Sequence, residues 1–213
     1  MKHDVSPPGR AHQWDTDRVN ALGTSRDSAP AAMPSDARRI LVVGSGGAGK
    51  STLARELARQ TGLPLVHLDR YFWQPGWVET PTAQWRSVVA DLVAEPAWVM
   101  DGNYGGTLDL RIPAADLIVF LDLPRRITIP RVLRRWARWH GRNRPDLAAN
   151  CPERLDLAFL TWLWRYPSTS RNRLADSIAE HHAGHRVVRL CTPREVRLWL
   201  AAVAYSGVPA ARP

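Results

Sequence analysis

The chain has 213 residues and a formal net charge of +9, a size that suits one α/β domain with an appendage. No apolar run approaches the ~20 residues of a membrane span, and Cys151 and Cys191 are too few and too far apart for a disulfide framework or a metal knuckle. The basic excess is almost all arginine, with Lys2 and Lys50 the only lysines among 29 basic residues. Genome base composition explains such a skew more easily than a polyanionic partner does, so charge is weak evidence of function.

Residues 1–37 are polar, interrupted by Pro7, Pro8, Gly9, Gly23, Pro30 and Pro34, and carry no apolar periodicity. This predicts a disordered tail before a folded body over 38–206 and a short C-terminal tail over 207–213. The tail lacks the apolar stretch of a signal peptide, and its scattered aspartates, Asp4, Asp15, Asp17, Asp27 and Asp36, argue against a transit peptide, so a cytoplasmic protein is expected. Met33 offers a second start. The mixed charges do not make a basic arm for DNA.

The run Arg39-Ile40-Leu41-Val42-Val43 reads as a short buried strand. It leads into Gly44-Ser45-Gly46-Gly47-Ala48-Gly49-Lys50-Ser51, the complete G-x-x-x-x-G-K-[ST] pattern, with Thr52 next and helical spacing to Arg59. Strand, glycine loop and helix is the order that a phosphate-binding loop requires. Glycines let successive N–H groups converge on an anion, and the helix start adds its positive dipole end. Residues 44–52 are therefore expected to bind ATP, with Lys50 on the terminal phosphates and the Ser51 hydroxyl on the accompanying Mg2+.

Further along, Leu63–Leu68 is a second strand that delivers Asp69, and Thr82–Ala94 an amphipathic helix with Trp85, Val89, Leu92 and Val93 on one side. Ala97–Met100 is a third strand delivering Asp101, Leu117–Leu121 a fourth ending at Asp122, and Arg186–Leu190 a fifth, before a terminal helix from about Arg194. Strands alternating with crossover helices predict a doubly wound, five-stranded parallel α/β sheet. Ligands bind such sheets at the carboxyl ends of the strands, where the loop, Asp69 and Asp101 all fall.

A helical insert of roughly 127–182 separates the fourth and fifth strands. Arg131, Arg135 and Arg138 share one helical face, with Arg134 beside it, while Val132, Trp136 and Trp139 lie on another. Pro130 is expected in the first turn, and Gly141–Pro145 breaks the helix. A second helix is expected from Pro152, with Leu155, Phe159, Trp162 and Tyr166 as its core stripe. The arginines together predict a lid that clamps phosphates, with Arg131 and Arg135 as catalytic cations, since phosphoryl transfer needs fixed positive charge around the moving group.

Trp98-Val99-Met100-Asp101-Gly102-Asn103-Tyr104 and Phe120–Pro124 resemble, loosely, segments of adenylate-kinase-type monophosphate kinases. The chain more closely resembles the bacterial DNA topology modulation proteins, themselves adenylate-kinase-like. The resemblance rests on the glycine loop, His67-Leu68-Asp69, Phe72-Trp73-Gln74-Pro75-Gly76-Trp77, Asp101-Gly102-Asn103-Tyr104-Gly105-Gly106-Thr107, Arg144-Pro145-Asp146 and Cys151-Pro152-Glu153. It implies a P-loop NTPase fold of the nucleoside monophosphate kinase type with strand order 2-3-1-4-5 and ATP binding. That order sets Asp101 beside Ser51 as a magnesium-holding carboxylate. Likeness to P-loop kinases with an aspartate after the second strand suggests that Asp69 orients or deprotonates the acceptor, and a turn cap is its plainer reading.

Monophosphate kinases commonly follow Asp-Gly with Phe-Pro-Arg, whereas here Asn103-Tyr104-Gly105-Gly106 follows. The aromatic stretch from Asp69 to Trp77 either accepts a base, sugar or hydroxyl compound or covers the edge of the core. Thr192-Pro193-Arg194 stands where an adenine would border. The sequence thus predicts an ATP- and magnesium-dependent phosphotransferase for an unidentified small acceptor. The alternative is a nucleotide-dependent, DNA-associated regulator, although no helix-turn-helix, zinc module or RNA-recognition motif is present.

Overall fold

The computed structural model describes residues 32–154, 156–181 and 186–205. Its centre is a parallel sheet of β1 (Arg39–Gly44), β2 (Leu65–His67), β5 (Trp98–Asp101), β6 (Leu117–Leu121) and β7 (Arg186–Leu190), in the order β2-β5-β1-β6-β7. This is the expected 2-3-1-4-5 arrangement of a P-loop kinase fold. A two-stranded antiparallel hairpin, β3 (Trp73–Gln74) and β4 (Val78–Glu79), stands apart from it.

The strands read as continuous apolar runs because both faces are covered. Ile40 and Val42 face one helical layer with Leu53 and Leu57 of α1 (Lys50–Thr61) and Trp199 and Val203 of α8 (Pro193–Tyr205). Leu41 and Val43 face the other, with Trp85 and Val89 of α3 (Thr82–Ala94), Ile112 of α4 (Leu108–Ala114) and Ile178 of α7 (Ser170–His181). Ile40 to Val43 are wholly buried, each contributing about 1.5–3 kcal/mol over an exposed position. Gly62 stops α1 in the left-handed conformation (φ 71°), its N–H returning to Ala58 O, a geometry that disfavours any residue with a Cβ.

The body begins earlier than the expected boundary near residue 37, because Met33 and Ala37 are buried in the first core layer. Residues 1–31 of the expected tail, and 206–213 at the other end, lie outside the described residues. The insert's first helix, α5, runs Arg125–Trp139, so Pro130 sits inside it rather than in its first turn. The second, α6, is Leu157–Arg165, beginning past Pro152; Asp156 caps it by accepting from the Ala158 N–H. Leu155 lies outside the described residues. At the start of α8, Thr192 and Glu195 form a reciprocal cap, Glu195 N–H donating to Thr192 Oγ1 and Glu195 accepting from the Cys191 N–H.

Candidate active site

The glycine loop connects β1 to α1 at the carboxyl edge of the sheet, and the insert crowds two of its glycines. A Cβ on Gly47 would stand 2.4 Å from Thr128 O of α5, and one on Gly46 2.7 Å from Phe159 Cζ of α6. The insert therefore packs directly on the outer face of the loop, and Phe159, assigned to the core stripe with Trp162, covers the loop itself. Lys50 Nζ donates to Ser45 O at 3.0 Å. Burial lowers its pKa, and the carboxylates of Asp101 and Asp69 oppose that shift, so all three groups share one electrostatic neighbourhood.

Asp101 ends β5, in register with Val42 of β1 and His67 of β2. Its Oδ1 lies 2.5 Å from His67 Nδ1, and both side chains are buried. Asp69 opens the short helix α2 (Asp69–Phe72). Its carboxylate accepts from the Tyr104 hydroxyl at 2.5 Å, rather than from a backbone N–H as a cap would. Burial raises the Asp69 pKa and the Tyr104 hydrogen bond works against that. Next to Tyr104, Asn103 Oδ1 accepts from the Gly44 N–H at 2.9 Å, which ties the segment after β5 to the first residue of the loop.

The shared arginine face of α5 divides into three environments. Arg131 donates to Ala48 O in the glycine loop at 3.2 Å. Arg135 pairs with the buried Glu153 at 2.9 Å, and Glu153 also holds Arg144 at 2.6 Å, which reaches Asp146 at 2.9 Å. Arg134 and Arg138 are exposed. An open cavity of about 230 Å³ is lined by Arg131, Arg134, Arg135, Arg138 and Trp139. The acidic partner of Arg135 arrives from beyond the helix break, which helical spacing cannot reveal.

The aromatic stretch after Asp69 serves the core and the insert together. Phe72 packs edge-on against Trp85 and tilts over Tyr104. The hairpin is fastened to the insert: Gly76 N–H donates to Asn150 O, Trp77 Nε1–H to Pro152 O and Cys151 Sγ–H to Gln74 O. Arg70 donates to Pro145 O. Between these parts a second cavity, about 200 Å³, is lined by Arg55, His67, Arg70 and Asp146 among others.

Among the described residues no group of three or more His, Cys, Asp or Glu side chains is arranged to hold a metal ion. The Ser51 hydroxyl, next to Lys50 in the loop, and the Asp101 carboxylate, which bears on Lys50 electrostatically, are hard oxygen donors of the type that suits a magnesium ion arriving with phosphates and water. No helix among the described residues is long and apolar enough to cross a membrane.

Sheet order, glycine loop and insert together define a P-loop kinase fold. Among solved structures, the shikimate kinase from Acinetobacter baumannii in complex with shikimate is similar over 81% of this chain and 97% of its own, with a TM-score of 0.53 and 16% identity. A gluconokinase from Sinorhizobium meliloti 1021 matches over 79% and 93%, with a TM-score of 0.45 and 21% identity. A deoxyadenosine kinase from M. mycoides matches over 78% and 96%, at 0.47 and 10%. At 16% identity the first likeness carries the fold alone, the two with TM-scores below 0.5 carry no argument, and none of the three is a DNA topology modulation protein. The sequence matches no protein-family model and, at a significant level, no curated protein.

Proposed function

We propose that the protein is an ATP- and magnesium-dependent kinase that transfers the terminal phosphoryl group of ATP to a hydroxyl of a small acceptor. The observation that carries this reading is the complete glycine loop with Lys50 in the electrostatic field of the Asp101 and Asp69 carboxylates, covered by the insert that brings Arg131 onto Ala48. The loop N–H groups beyond Gly44, whose own N–H is taken by Asn103, hold the phosphates. Lys50, now turned onto Ser45 O, moves to the terminal phosphates and stabilises the charge that spreads over the transferred group.

Asp69 accepts the proton of the acceptor hydroxyl as that oxygen bonds to phosphorus and the bond to the bridging oxygen of ADP breaks. Tyr104 holds the Asp69 carboxylate in place. Magnesium, held by Ser51 and Asp101, would supply neutralising charge to the phosphates. Arg131 and Arg135 of the insert contribute fixed cations above the loop, and the packed insert keeps water from the reacting group.

A second reading keeps the nucleotide and replaces the acceptor: a DNA-associated regulator of the DNA topology modulation type. The exposed Arg134 and Arg138 and the net charge of +9 favour it. A screen of ATP consumption against nucleosides, nucleoside monophosphates, sugars and hydroxy acids, with single- and double-stranded DNA added separately, decides between them. Consumption that depends on one small hydroxyl compound supports the kinase. Consumption that depends on DNA alone supports the regulator.

A further inference from the structure

Arg111 is wholly buried, yet among the described residues no acidic side chain forms an ion pair with it. Burial lowers its pKa to about 10, so the guanidinium keeps its charge at neutral pH. Oxygens of one short stretch of chain surround it instead. Nη1 donates to Gly102 O at 2.8 Å, Nη2 to Asn103 O at 2.5 Å and to Tyr104 O at 2.8 Å, and Nε to the carbonyl and hydroxyl of Thr107 at 3.3 and 3.2 Å.

Three consecutive carbonyls cannot turn toward one point in regular secondary structure. They do so here because Tyr104 adopts a positive φ of 29° and Gly102 one of 140°. A non-glycine residue holds such a conformation only when its surroundings over-determine it. The planar fork of a guanidinium supplies that, with donors diverging at fixed angles. Thr107 reinforces it, its hydroxyl donating to Tyr104 O at 3.1 Å.

The same turn carries two side chains that leave it for the site: Asn103, accepting from the Gly44 N–H, and Tyr104, donating to Asp69. One end of the turn therefore fixes the entrance of the phosphate loop and the other fixes the carboxylate assigned to the acceptor. We propose that Arg111 is a positioning residue: by clamping the carbonyls of Gly102, Asn103 and Tyr104 it holds the glycine loop and Asp69 in one common geometry. The relevance to phosphoryl transfer rests on the kinase reading above, while the positioning itself does not.

The test is amide hydrogen exchange by NMR on the whole protein, beside nucleotide affinity and ATP turnover, for the wild type, Arg111→Lys, Thr107→Val and Asn103→Ala. Lysine keeps the charge but has a single ammonium that cannot span three carbonyls. In Arg111→Lys the Gly44 amide should exchange faster by about tenfold or more, as it should in Asn103→Ala, with the Leu41 and Val42 amides of β1 unchanged. ATP turnover should fall through kcat, with nucleotide affinity kept.

If Arg111→Lys does not fold, Thr107→Val carries the test, with a smaller acceleration at Gly44 expected. Exchange that quickens uniformly along the chain would mark Arg111 as a general stabiliser and overturn the proposal. So would an unchanged Gly44 amide in a variant that folds. A wild type that consumes no ATP with any acceptor would sink the kinase reading, and the exchange at Gly44 would still decide the role of Arg111.

Discussion

Asp69 is the residue on which the proposed chemistry turns, and Tyr104 sets its state. Burial raises the Asp69 pKa while the phenol hydrogen bond stabilises the carboxylate and opposes the rise. The phenol remains a donor, because burial and the nearby Asp69 charge push its own pKa well above the usual value. Tyr104→Phe removes the opposing effect, so the Asp69 pKa rises further. If Asp69 is the base, activity climbs with pH through its pKa, and Tyr104→Phe should move the acidic limb of the kcat/KM profile to higher pH. Steady-state rates from pH 5 to 9 check this; an unmoved limb with Asp69→Asn still inactive would assign Asp69 to orientation instead.

At the scale of elements, the insert is bound to the sheet through buried charge. Asp122, just beyond β6, accepts from Arg171 of α7 at 2.7 Å and from Arg189 of β7 at 2.7 Å. Burial pushes the Asp122 carboxyl upward, but the two guanidinium groups outweigh it and hold its pKa below the ordinary value. A depressed folded pKa contributes stability above the unfolded value of about 3.9 and loses it as pH falls through the folded value. Arg171→Ala should cost about 2 kcal/mol, less than the ~3–5 kcal/mol of a fully broken buried pair because Arg189 remains, and acid unfolding should begin at higher pH than in the wild type. Melting temperatures from pH 7 down to pH 3 measure both effects.

The arginines of α5 divide in the same way. Arg135→Ala leaves Glu153 buried with Arg144 alone, so it should lower the melting temperature as well as turnover, whereas Arg131→Ala should lower turnover at nearly unchanged stability. Arg138 is exposed and has no acidic partner among the described residues, and Arg138→Ala should leave both nearly unchanged. A DNA-binding face behaves otherwise: all three would weaken binding by similar amounts, each reducing the slope of log affinity against log salt by roughly one unit. Salt titrations on the same variants separate the two cases.

Over the whole molecule, legibility in the sequence followed the range of the interaction. The glycine loop, the five apolar strands and the helix over Thr82–Ala94 are local patterns, and each is present, with the second strand shortened from Leu63–Leu68 to Leu65–His67 and the third shifted by one residue to Trp98–Asp101. The strand order came from resemblance rather than from any strand's residues, and the sheet has that order. What stayed hidden were buried polar partnerships between distant segments: His67 with Asp101, Tyr104 with Asp69, Arg135 with Glu153. Hydrophobic periodicity has no term for a buried charge that is satisfied by tertiary contact. Arg111 left one trace, an arginine flanked by Leu110 and Ile112 on a short helix, and that trace did not say which carbonyls it would hold.

The central claim is that this loop handles phosphoryl groups, and Lys50→Ala tests it most directly. Nucleotide binding by calorimetry and acceptor-dependent ADP formation should be measured on the wild type and the variant in parallel, with magnesium present. The expected result is nucleotide binding by both proteins, weaker in the variant, with transfer reduced by about a hundredfold or more because the spreading charge loses its fixed cation. A Lys50→Ala protein that transfers phosphate as fast as the wild type, or a wild type that binds no nucleotide, would contradict it.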